Sequence, residues 1–516
     1  MGKVVHLSVK SRYRLILLTT IFVFIYAFSS QDGRGYPLST LLAEWPSPLS
    51  ALRVGELWNR RQAAAHDDSS PGEQQQQVPL SSLESEFFTW SDPNAPAGPK
   101  PPYKPARKPA PPIPDPFPLL SANPPPKNLK SLLRAPEHNR PPRKHYPEKT
   151  PLLIGFTRNW PQLLQCVVSY VAAGWPPEDI YVVENTGTMF SNRENRLTLQ
   201  NPFYLNHTQL SMLGVNVIIT PTLLTFAQLQ NFYLHEALVR SWPAFFWTHQ
   251  DLVVFSDESA AGPGPYYTLY DRAVGVLQYL LLPSSPRWAH HFFAYDHLTL
   301  VNRDAVLEVG GWDAHIPFYA TDCDMYVRLM WAGYWQGESE IGIILDVNTV
   351  LDDVGALLRI PGIRASFAGD DYEEEEENSR NNSTTEEKEE EEEEEDESTR
   401  KRLDDQVNKN GETWERLVEI GKRMEGIKYS DGNTWRNTWQ VRQQGGQGEP
   451  FYRDWEGFET GTKMMIDLGR NVFAEKWGHR GCDIAKVGIK AEDAWRLERD
   501  WDVEADEGEG YQGDGW

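Results

Sequence analysis

The chain has 516 residues and a formal net charge of −24, which excludes the basic footprint typical of nucleic-acid-binding proteins. The charge is local, because residues 370–397 hold 18 acidic side chains against two basic ones. Aromatic residues make up 12% of the chain, with 19 Trp, so a large packed core is expected. The three cysteines allow at most one disulfide and exclude a Cys-based zinc site: they are Cys166, Cys323 and Cys482.

The N-terminal segment has the pattern of a membrane anchor. Basic residues precede an apolar run from Leu15 to Phe28, and with its flanks this run approaches the length that spans a bilayer. The positive-inside rule therefore predicts a type II signal anchor at 13–30 with a cytosolic tail at 1–12. The alternative is a cleaved signal peptide, since Ala27-Phe28-Ser29 is a small-x-small site. Both place the rest of the chain in the secretory lumen, in agreement with glycosylation sequons at Asn206 and at Asn381 and Asn382.

Composition divides the remainder of the chain. Residues 93–150 contain 19 of the 38 prolines, a content typical of extended spacers, although a Pro-rich ligand for a partner domain is the alternative. The acidic tract at 370–397 has almost no hydrophobic residues and is expected to be disordered. The predicted organisation is a disordered stem at 31–149, a catalytic core at 150–369, an acidic insertion at 370–400, the rest of the catalytic domain at 401–505 and a loose tail at 506–516.

From residue 150 onward, apolar runs and helical periodicities alternate. This order predicts an α/β fold with an open, mostly parallel sheet flanked by helices, whose ligands bind at the carboxyl ends of the strands. Strands are predicted at 151–157, 179–184, 215–220, 244–248 and 296–301, and helices at 161–173, 226–240, 325–332 and 414–424.

Four segments of this core resemble the glycosyltransferases of the GT-A fold, most closely the family-two type. Residues 182–187 (VVENTG) resemble the "VVDNGS" turn of that family, and Asp251 ends the strand that carries its Asp-x-Asp motif. Residues 309–313 (VGGWD) resemble "VGGFDE", and residues 321–334 resemble "EDVDLSLRLRRAGY". The sequence departs from the family pattern where His249 replaces the first Asp of Asp-x-Asp and Thr321 replaces the Glu of the "ED" pair.

The resemblance implies particular roles for residues of this sequence. Asp322 is the expected general base that takes a proton from the acceptor hydroxyl. Asp251 is the expected ligand of a divalent cation that bridges the phosphates of the donor, with His479 as an additional ligand. His249 is itself an alternative ligand in place of the missing Asp, and because histidine is a softer ligand than carboxylate, Mn²⁺ is favoured over Mg²⁺. The predicted donor-binding residues are Arg158, Glu184, Asn185, Asn231, His249, Gly310 and Gly311.

Plainer roles stand beside these. Asp251 can cap a turn, His249 can be a loop residue, and Asn231 can be structural. Gly310 and Gly311 can form a tight turn, and Glu184 can be a solvated strand end. Of the two acidic residues Asp322 and Asp324, one is expected to cap the helix that follows, and we assign the cap to Asp324.

The sequence as a whole predicts a glycosyltransferase of the hexosyl or N-acetylhexosaminyl type. It would move a sugar from a UDP- or GDP-linked donor to a luminal glycan or glycoprotein while anchored in the Golgi or endoplasmic reticulum membrane. Nucleic acid is not expected among its partners. Inversion at the sugar carbon and dependence on a divalent metal are expected from the resemblance. The alternative is a catalytically inactive GT-A-like protein that binds glycans or acts as a scaffold, because the Asp-x-Asp motif is altered.

Overall fold

The computed structural model describes residues 112–260, 265–368, 406–430 and 455–501. In chain order the strands are β1 (Leu152–Phe156), β2 (Ile180–Glu184), β3 (Asn216–Ile219), β4 (Ala244–Thr248), β5 (Leu252–Phe255), β6 (Trp288–Phe293), β7 (Leu298–Asn302), β8 (Trp335–Glu338) and β9 (Ile343–Asp346). The α-helices are α1 (Leu129–Leu132), α2 (Trp160–Ala172), α3 (His207–Met212), α4 (Phe226–Val239), α5 (Leu269–Leu280), α6 (Arg303–Glu308), α7 (Thr321–Trp331), α8 (Trp414–Lys428) and α9 (Trp455–Trp477).

The main sheet has seven strands in the order β3-β2-β1-β4-β7-β6-β8. β7 pairs antiparallel with β4 and β6, while the other pairs of neighbours are parallel. The predicted α/β class with a mostly parallel sheet is therefore confirmed. The six elements predicted between residues 151 and 248 are also confirmed, to within one residue at each end.

Helices cover both faces of this sheet. Along β1, Leu152, Ile154 and Phe156 belong to one buried cluster and Leu153 to another, because successive side chains of a strand point to opposite faces. The first cluster includes the buried side of α2, such as Leu163 and Val167. The second includes residues of α4 and α7. This two-sided burial explains why the strands read as continuous apolar runs.

The folded domain begins earlier than predicted. Phe117, Leu120 and Leu132 are buried in the main core, and the Val354 N–H donates a hydrogen bond to the Pro116 carbonyl. The predicted disordered stem through residue 149 is therefore wrong for residues 112–149. The prediction rested on the proline content and overlooked the few apolar side chains in this stretch. Irregular backbone with short helical turns is enough to bury these side chains.

Other predictions fall on residues that the structure leaves undescribed. The anchor at 13–30 and the acidic insertion at 370–400 lie outside the described residues, as does the whole of the predicted tail at 506–516. Within the described ranges, no helix combines the length and the apolar character needed to cross a membrane.

A smaller second sheet lies beside the first. β5 and β9 pair antiparallel, with Leu252 opposite Asp346. α8 packs on β9 through Gly421, where a Cβ atom would lie 2.7 Å from a methyl carbon of Leu345. The C-terminal residues thus complete the domain on the same side as the end of β4.

Candidate active site at the carboxyl edge

The carboxyl ends of the parallel strands form one edge of the main sheet. Arg158 follows β1, Asn185 follows β2 and His249 follows β4. β7 runs the other way, so its beginning lies at the same edge and brings Asp296 and His297 there. The His249 N–H donates to the His297 carbonyl over 3.2 Å, which ties these two strand ends together.

Asp251 lies between β4 and β5, where the chain leaves the first sheet and enters the second. Its backbone carbonyl accepts a hydrogen bond from the Val347 N–H at 2.8 Å, as the β5–β9 pairing dictates. The same pairing sets Asp346, the last residue of β9, beside Leu252. Two carboxylates separated by 95 positions in the sequence are thereby brought together.

Lys428 joins these two carboxylates. Its Nζ atom is 2.8 Å from Oδ2 of Asp251 and 2.5 Å from Oδ1 of Asp346, and the Tyr429 hydroxyl donates to Oδ2 of Asp346 at 2.6 Å. We call Asp251, Asp346, Lys428 and Tyr429 the edge cluster. Burial opposes charge on Asp251, but Lys428 outweighs it and holds the pKa of this carboxyl below its usual value. The ion pair is therefore charged at neutral pH.

The sequence signal for Lys428 was present but not used. The buried side of α8 includes Leu417, Gly421, Met424 and Lys428, which follow the i, i+4, i+7, i+11 spacing of one helix face. The predicted helix ended at residue 424, one turn before the lysine. A lysine on an otherwise apolar helix face signals a buried partner for its charge.

Aromatic and charged side chains surround His249. Its ring stacks on Phe226 with centroids 6.5 Å apart, and its Nε2 lies 4.0 Å from Oδ1 of Asp296. The neighbouring His297 has its Nε2 4.0 Å from Oδ2 of Asp346. Burial lowers the pKa of His297, so His297 is neutral at pH 7. Asp296 and His297 were not selected from the sequence, where their spacing matched no ligand pattern.

Asp322 lies in the first turn of α7, which begins four residues earlier than predicted. The turn before it is strained, because Ala320 has a left-handed backbone with φ of 68°, a conformation that non-glycine residues seldom adopt and that concentrates at functional sites. Burial, followed by the charge of Asp296, raises the pKa of Asp322 to about 6. A carboxyl group with such a pKa is suited to exchange a proton near neutral pH.

Tyr319 indicates that Asp251 and Asp322 share one region. Burial raises the pKa of the Tyr319 hydroxyl, Arg470 lowers it, and the charges of both Asp251 and Asp322 raise it further. His249 likewise acts on the pKa of both carboxyls. The structure therefore brings together three of the predicted site residues, one predicted as a metal ligand, one as the base and one as a donor contact.

Arg158 is buried at the same edge and is engaged by α9. Its Nη1 atom is 2.6 Å from Oε1 of Glu459, and its guanidinium lies 5.1 Å from the centre of the Phe458 ring. The Gln250 side chain donates to its backbone carbonyl at 2.7 Å. The C-terminal helix thus covers the cation that was predicted to face the donor.

Glu184 and Asn185 are held by groups of the protein itself. The Glu184 carboxylate contacts Asn192 Nδ2 and His207 Nε2, each at 2.7 Å. The Asn185 side chain makes two hydrogen bonds to the backbone of Leu224, at 2.7 and 2.9 Å. These contacts fix the end of β2 and the loop before α4, and donor binding by the two residues stays a prediction.

Gly310 and Gly311 lie in a turn at residues 309–313, which we call the glycine turn, and the side chain of Asn231 on α4 bonds to it. The Asn231 side chain accepts from the Trp312 N–H and donates to the Trp312 carbonyl, both at 2.9 Å. Gly311 has φ of 77°, and a Cβ atom there would lie 2.7 Å from Oδ1 of Asn231, so this close approach requires glycine. These contacts fix the glycine turn against α4, and donor binding by the three residues stays a prediction.

Asp324 does not cap α7, contrary to the prediction, because Ala320 is the N-cap and no side chain caps it. Instead its buried carboxylate contacts Lys476 Nζ at 2.6 Å and Arg328 Nε at 2.7 Å. Lys476 also contacts Asp313 at 3.0 Å. We call Asp313, Asp324, Arg328 and Lys476 the helix cluster. The Arg328 guanidinium also donates to the carbonyls of residues 309 and 311, so this cluster holds the glycine turn.

His479 lies in the C-terminal segment, which the Cys323–Cys482 disulfide joins to α7. Its Nε2 contacts Asp483 at 2.8 Å and its Nδ1 contacts Asp500. Although burial opposes it, these hydrogen bonds raise the pKa of His479. Both ring nitrogens are therefore engaged by carboxylates other than Asp251, and the observed contacts do not bring His479 to the edge cluster.

The arrangement of these groups does not fit the predicted divalent metal. Asp251 bonds to an ammonium, and both ring nitrogens of His479 are occupied. Among the described residues, no group of three or more His, Cys, Asp or Glu side chains is arranged to hold a metal ion. We therefore derive no chemical step through a metal.

Comparison with known proteins finds distant likenesses among solved structures alone. No family model and no curated protein matches the chain. Among solved structures, the chain is similar to a mannosyltransferase from Pyrobaculum calidifontis in complex with GDP-Man and Mn²⁺, at 14% sequence identity and a TM-score of 0.26. The match covers 41% of this chain and 60% of that chain. At such a TM-score we infer neither function nor ligands from the likeness.

Proposed function

We propose that this chain is a glycosyltransferase that moves a hexose or N-acetylhexosamine from a UDP- or GDP-linked donor to a glycan or glycoprotein. The observation that carries the proposal is Asp322, a carboxyl with a pKa of about 6 at the ligand-binding edge of an open α/β sheet. It lies in the segment that resembles the family's base motif, and it shares its surroundings with Asp251 and His249.

In the proposed reaction Asp322 acts as general base. The acceptor hydroxyl loses its proton to the Asp322 carboxylate while its oxygen bonds to the anomeric carbon of the donor sugar. The bond from that carbon to the diphosphate oxygen breaks, and the nucleoside diphosphate leaves with the bonding electrons. Attack opposite the leaving group inverts the configuration at the sugar carbon. The buried Arg158 at the same edge is the proposed contact for the diphosphate, which requires it to exchange Glu459 for the donor.

The test uses the full chain, a panel of UDP- and GDP-sugars and a mixed glycan acceptor. Nucleotide release and the anomeric configuration of the product are measured. Asp322→Asn should lower the transfer rate by roughly 10²–10⁴-fold, the usual contribution of a general base, while donor affinity measured by calorimetry is retained. The exposed Asp304→Asn is the matched control and should leave the rate unchanged. Full activity in Asp322→Asn would remove the assignment.

A second candidate function is that of an inactive glycan-binding or scaffold protein. The specific observation that favours it is the engagement of Arg158 by Glu459 and of Glu184 by Asn192 and His207, since groups expected to meet the donor already have partners. Binding of a nucleotide-sugar or a glycan without turnover, under conditions where the domain is folded, would favour this function over transfer.

We also propose that the chain is a single-pass type II protein of the Golgi or endoplasmic reticulum membrane, with its catalytic domain in the lumen. The apolar run behind basic residues supports the topology. The Cys323–Cys482 disulfide supports the compartment, because disulfides persist in oxidising environments. Protection of the C-terminus from added protease in sealed microsomes tests this placement, and cleavage without detergent would contradict it.

A further inference from the structure

The edge cluster has the composition of a cation site that already contains a cation. Two aspartates from different strands, Asp251 and Asp346, meet at the ligand-binding edge and bracket the Nζ atom of Lys428. The Lys428 residue is only 1% exposed. A buried carboxylate pair is unfavourable without a positive partner, and here the chain supplies that partner from the last turn of α8.

The oxygens of this pair are largely used. Oδ2 of Asp251 and Oδ1 of Asp346 accept from Lys428, and Oδ2 of Asp346 accepts from the Tyr429 hydroxyl. A divalent cation bound directly would have to approach the same oxygens to about 2.0–2.6 Å. It would also lie next to the ammonium, whose like charge repels it. Lys428 and a metal ion are therefore alternatives at this position.

The fold makes the lysine difficult to withdraw. Gly421 and Met424 of the same helix are buried, and Glu425 accepts from the Asp346 N–H at 3.0 Å. Because Lys428 is only 1% exposed, an outward swing of its flexible side chain would have to displace the side chains packed around it. The packing of α8 on β9 therefore holds the ammonium between the two carboxylates.

We propose that Lys428 permanently fills the cation position between Asp251 and Asp346, and that the chain binds its nucleotide-sugar donor without a divalent metal at this pair. The first half follows from the geometry of the edge cluster alone. The second half rests on the proposed function. Lys428 is a positioning residue, since it acts through the two carboxylates and sets the charge of the edge.

The first experiment measures binding of Mn²⁺ alone to the full chain by electron paramagnetic resonance. The acidic tract provides many weak sites, so the informative quantity is the difference between the wild type and Asp251→Asn. We expect no difference, whereas Lys428→Ala should gain one Mn²⁺ that Lys428→Ala/Asp346→Asn loses. A wild-type site that disappears in Asp251→Asn overturns the proposal, and this comparison needs no lysine variant to fold. A folded Lys428→Ala that gains no site also overturns it.

The second experiment measures UDP and GDP affinity and sugar transfer in EDTA and in Mn²⁺. The wild type should show the same affinity and rate in both, within about twofold. Lys428→Ala should lose at least tenfold in EDTA and recover with Mn²⁺, a response that a purely structural lysine would not give. Lys476→Ala is the matched control, because it also removes a lysine from between two aspartates, and Mn²⁺ should not restore it.

The outcomes separate this proposal from the proposed function. Transfer that requires Mn²⁺ and is lost in Asp251→Asn would keep the glycosyltransferase and overturn the role of Lys428. Absence of transfer with every donor, together with a Mn²⁺ site that appears only in Lys428→Ala, would remove the glycosyltransferase and support the filled cation position.

Discussion

The edge cluster and the helix cluster are built from the same parts in different surroundings. Each has a lysine from the C-terminal end of a late helix, Lys428 of α8 or Lys476 of α9, placed between two aspartates. In the edge cluster Asp346 ends β9 and Asp251 lies between β4 and β5, both at the carboxyl edge. In the helix cluster the two aspartates lie in the glycine turn and in α7, beside the Cys323–Cys482 disulfide.

Since both clusters contain a buried lysine between aspartates but only one lies at the carboxyl edge, such a group does not by itself indicate function. The Trp477 indole donates to Asp324 at 3.2 Å and Arg328 joins Asp324 to the glycine turn. The helix cluster therefore connects α7, α9 and the glycine turn and has a structural role. The edge cluster instead shares its surroundings with His249 and Tyr319, which also act on Asp322 or respond to its charge. Position at the ligand edge distinguishes the two.

The largest expected effect comes from breaking the helix cluster. Asp324→Ala removes the carboxylate that Lys476, Arg328 and Trp477 share, and it should lower the free energy of unfolding by about 3–5 kcal/mol, the usual cost of breaking a buried pair. Chemical denaturation followed by tryptophan fluorescence measures this free energy.

Asp322→Asn, two residues away on the same helix, is the control for the Asp324→Ala variant. Because the pKa of Asp322 is already raised by burial, removing its charge at pH 7 should leave stability unchanged or slightly higher. Equal destabilisation by both variants would contradict the division of roles.

A somewhat smaller effect is expected from the disulfide that adjoins the helix cluster. Cys323 and Cys482 are 159 positions apart, and loss of a crosslink over a long loop typically costs about 2–5 kcal/mol. Cys323→Ser/Cys482→Ser should therefore lower the denaturation midpoint, and a reducing agent should reproduce the shift in the wild type. Cys166→Ala, which removes the free buried thiol, is the control: it keeps the disulfide, so a reducing agent should lower its midpoint as much as that of the wild type. A wild-type midpoint insensitive to reduction would show that the crosslink does not support this region.

Local elements of the fold could be predicted from the sequence, whereas contacts between distant residues could not. The strand and helix alternation between residues 151 and 248 was predictable because apolar runs bounded by Gly and Pro are local signals. The position of Asp251 at a strand end was predictable for the same reason. Its partner was not, because the approach of Asp346 and Lys428 depends on the β5–β9 register and on the docking of α8, and no local pattern records either.

The helix cluster was misinterpreted for a related reason. Two acidic residues near a helix start are typical of capping, yet Asp324 faces inward to Lys476, which lies 152 positions later. Likewise, the structure shows the Asn231 side chain of α4 bonded to the backbone of Trp312, a long-range contact that no local pattern indicated, while donor binding by Asn231 and Gly311 stays a prediction. Long-range partners decide such roles, and one sequence does not identify them.

The smallest expected effect sharpens the assignment of Asp322 at the edge. If its carboxylate is the base, the transfer rate should rise with pH as the group loses its proton, with a midpoint at about 6. The charge of Asp296 contributes to raising this pKa, so Asp296→Asn should move the midpoint to lower pH by about one unit or less. The exposed Asp304→Asn should leave the midpoint in place.

The measurement is a pH–rate profile with saturating donor for the wild type, Asp296→Asn and Asp304→Asn. A midpoint that does not move in Asp296→Asn would mean that the titrating group is not Asp322. A shift in that variant alone would tie the rate to the carboxyl pair at the carboxyl edge and distinguish it from the aspartates of the helix cluster.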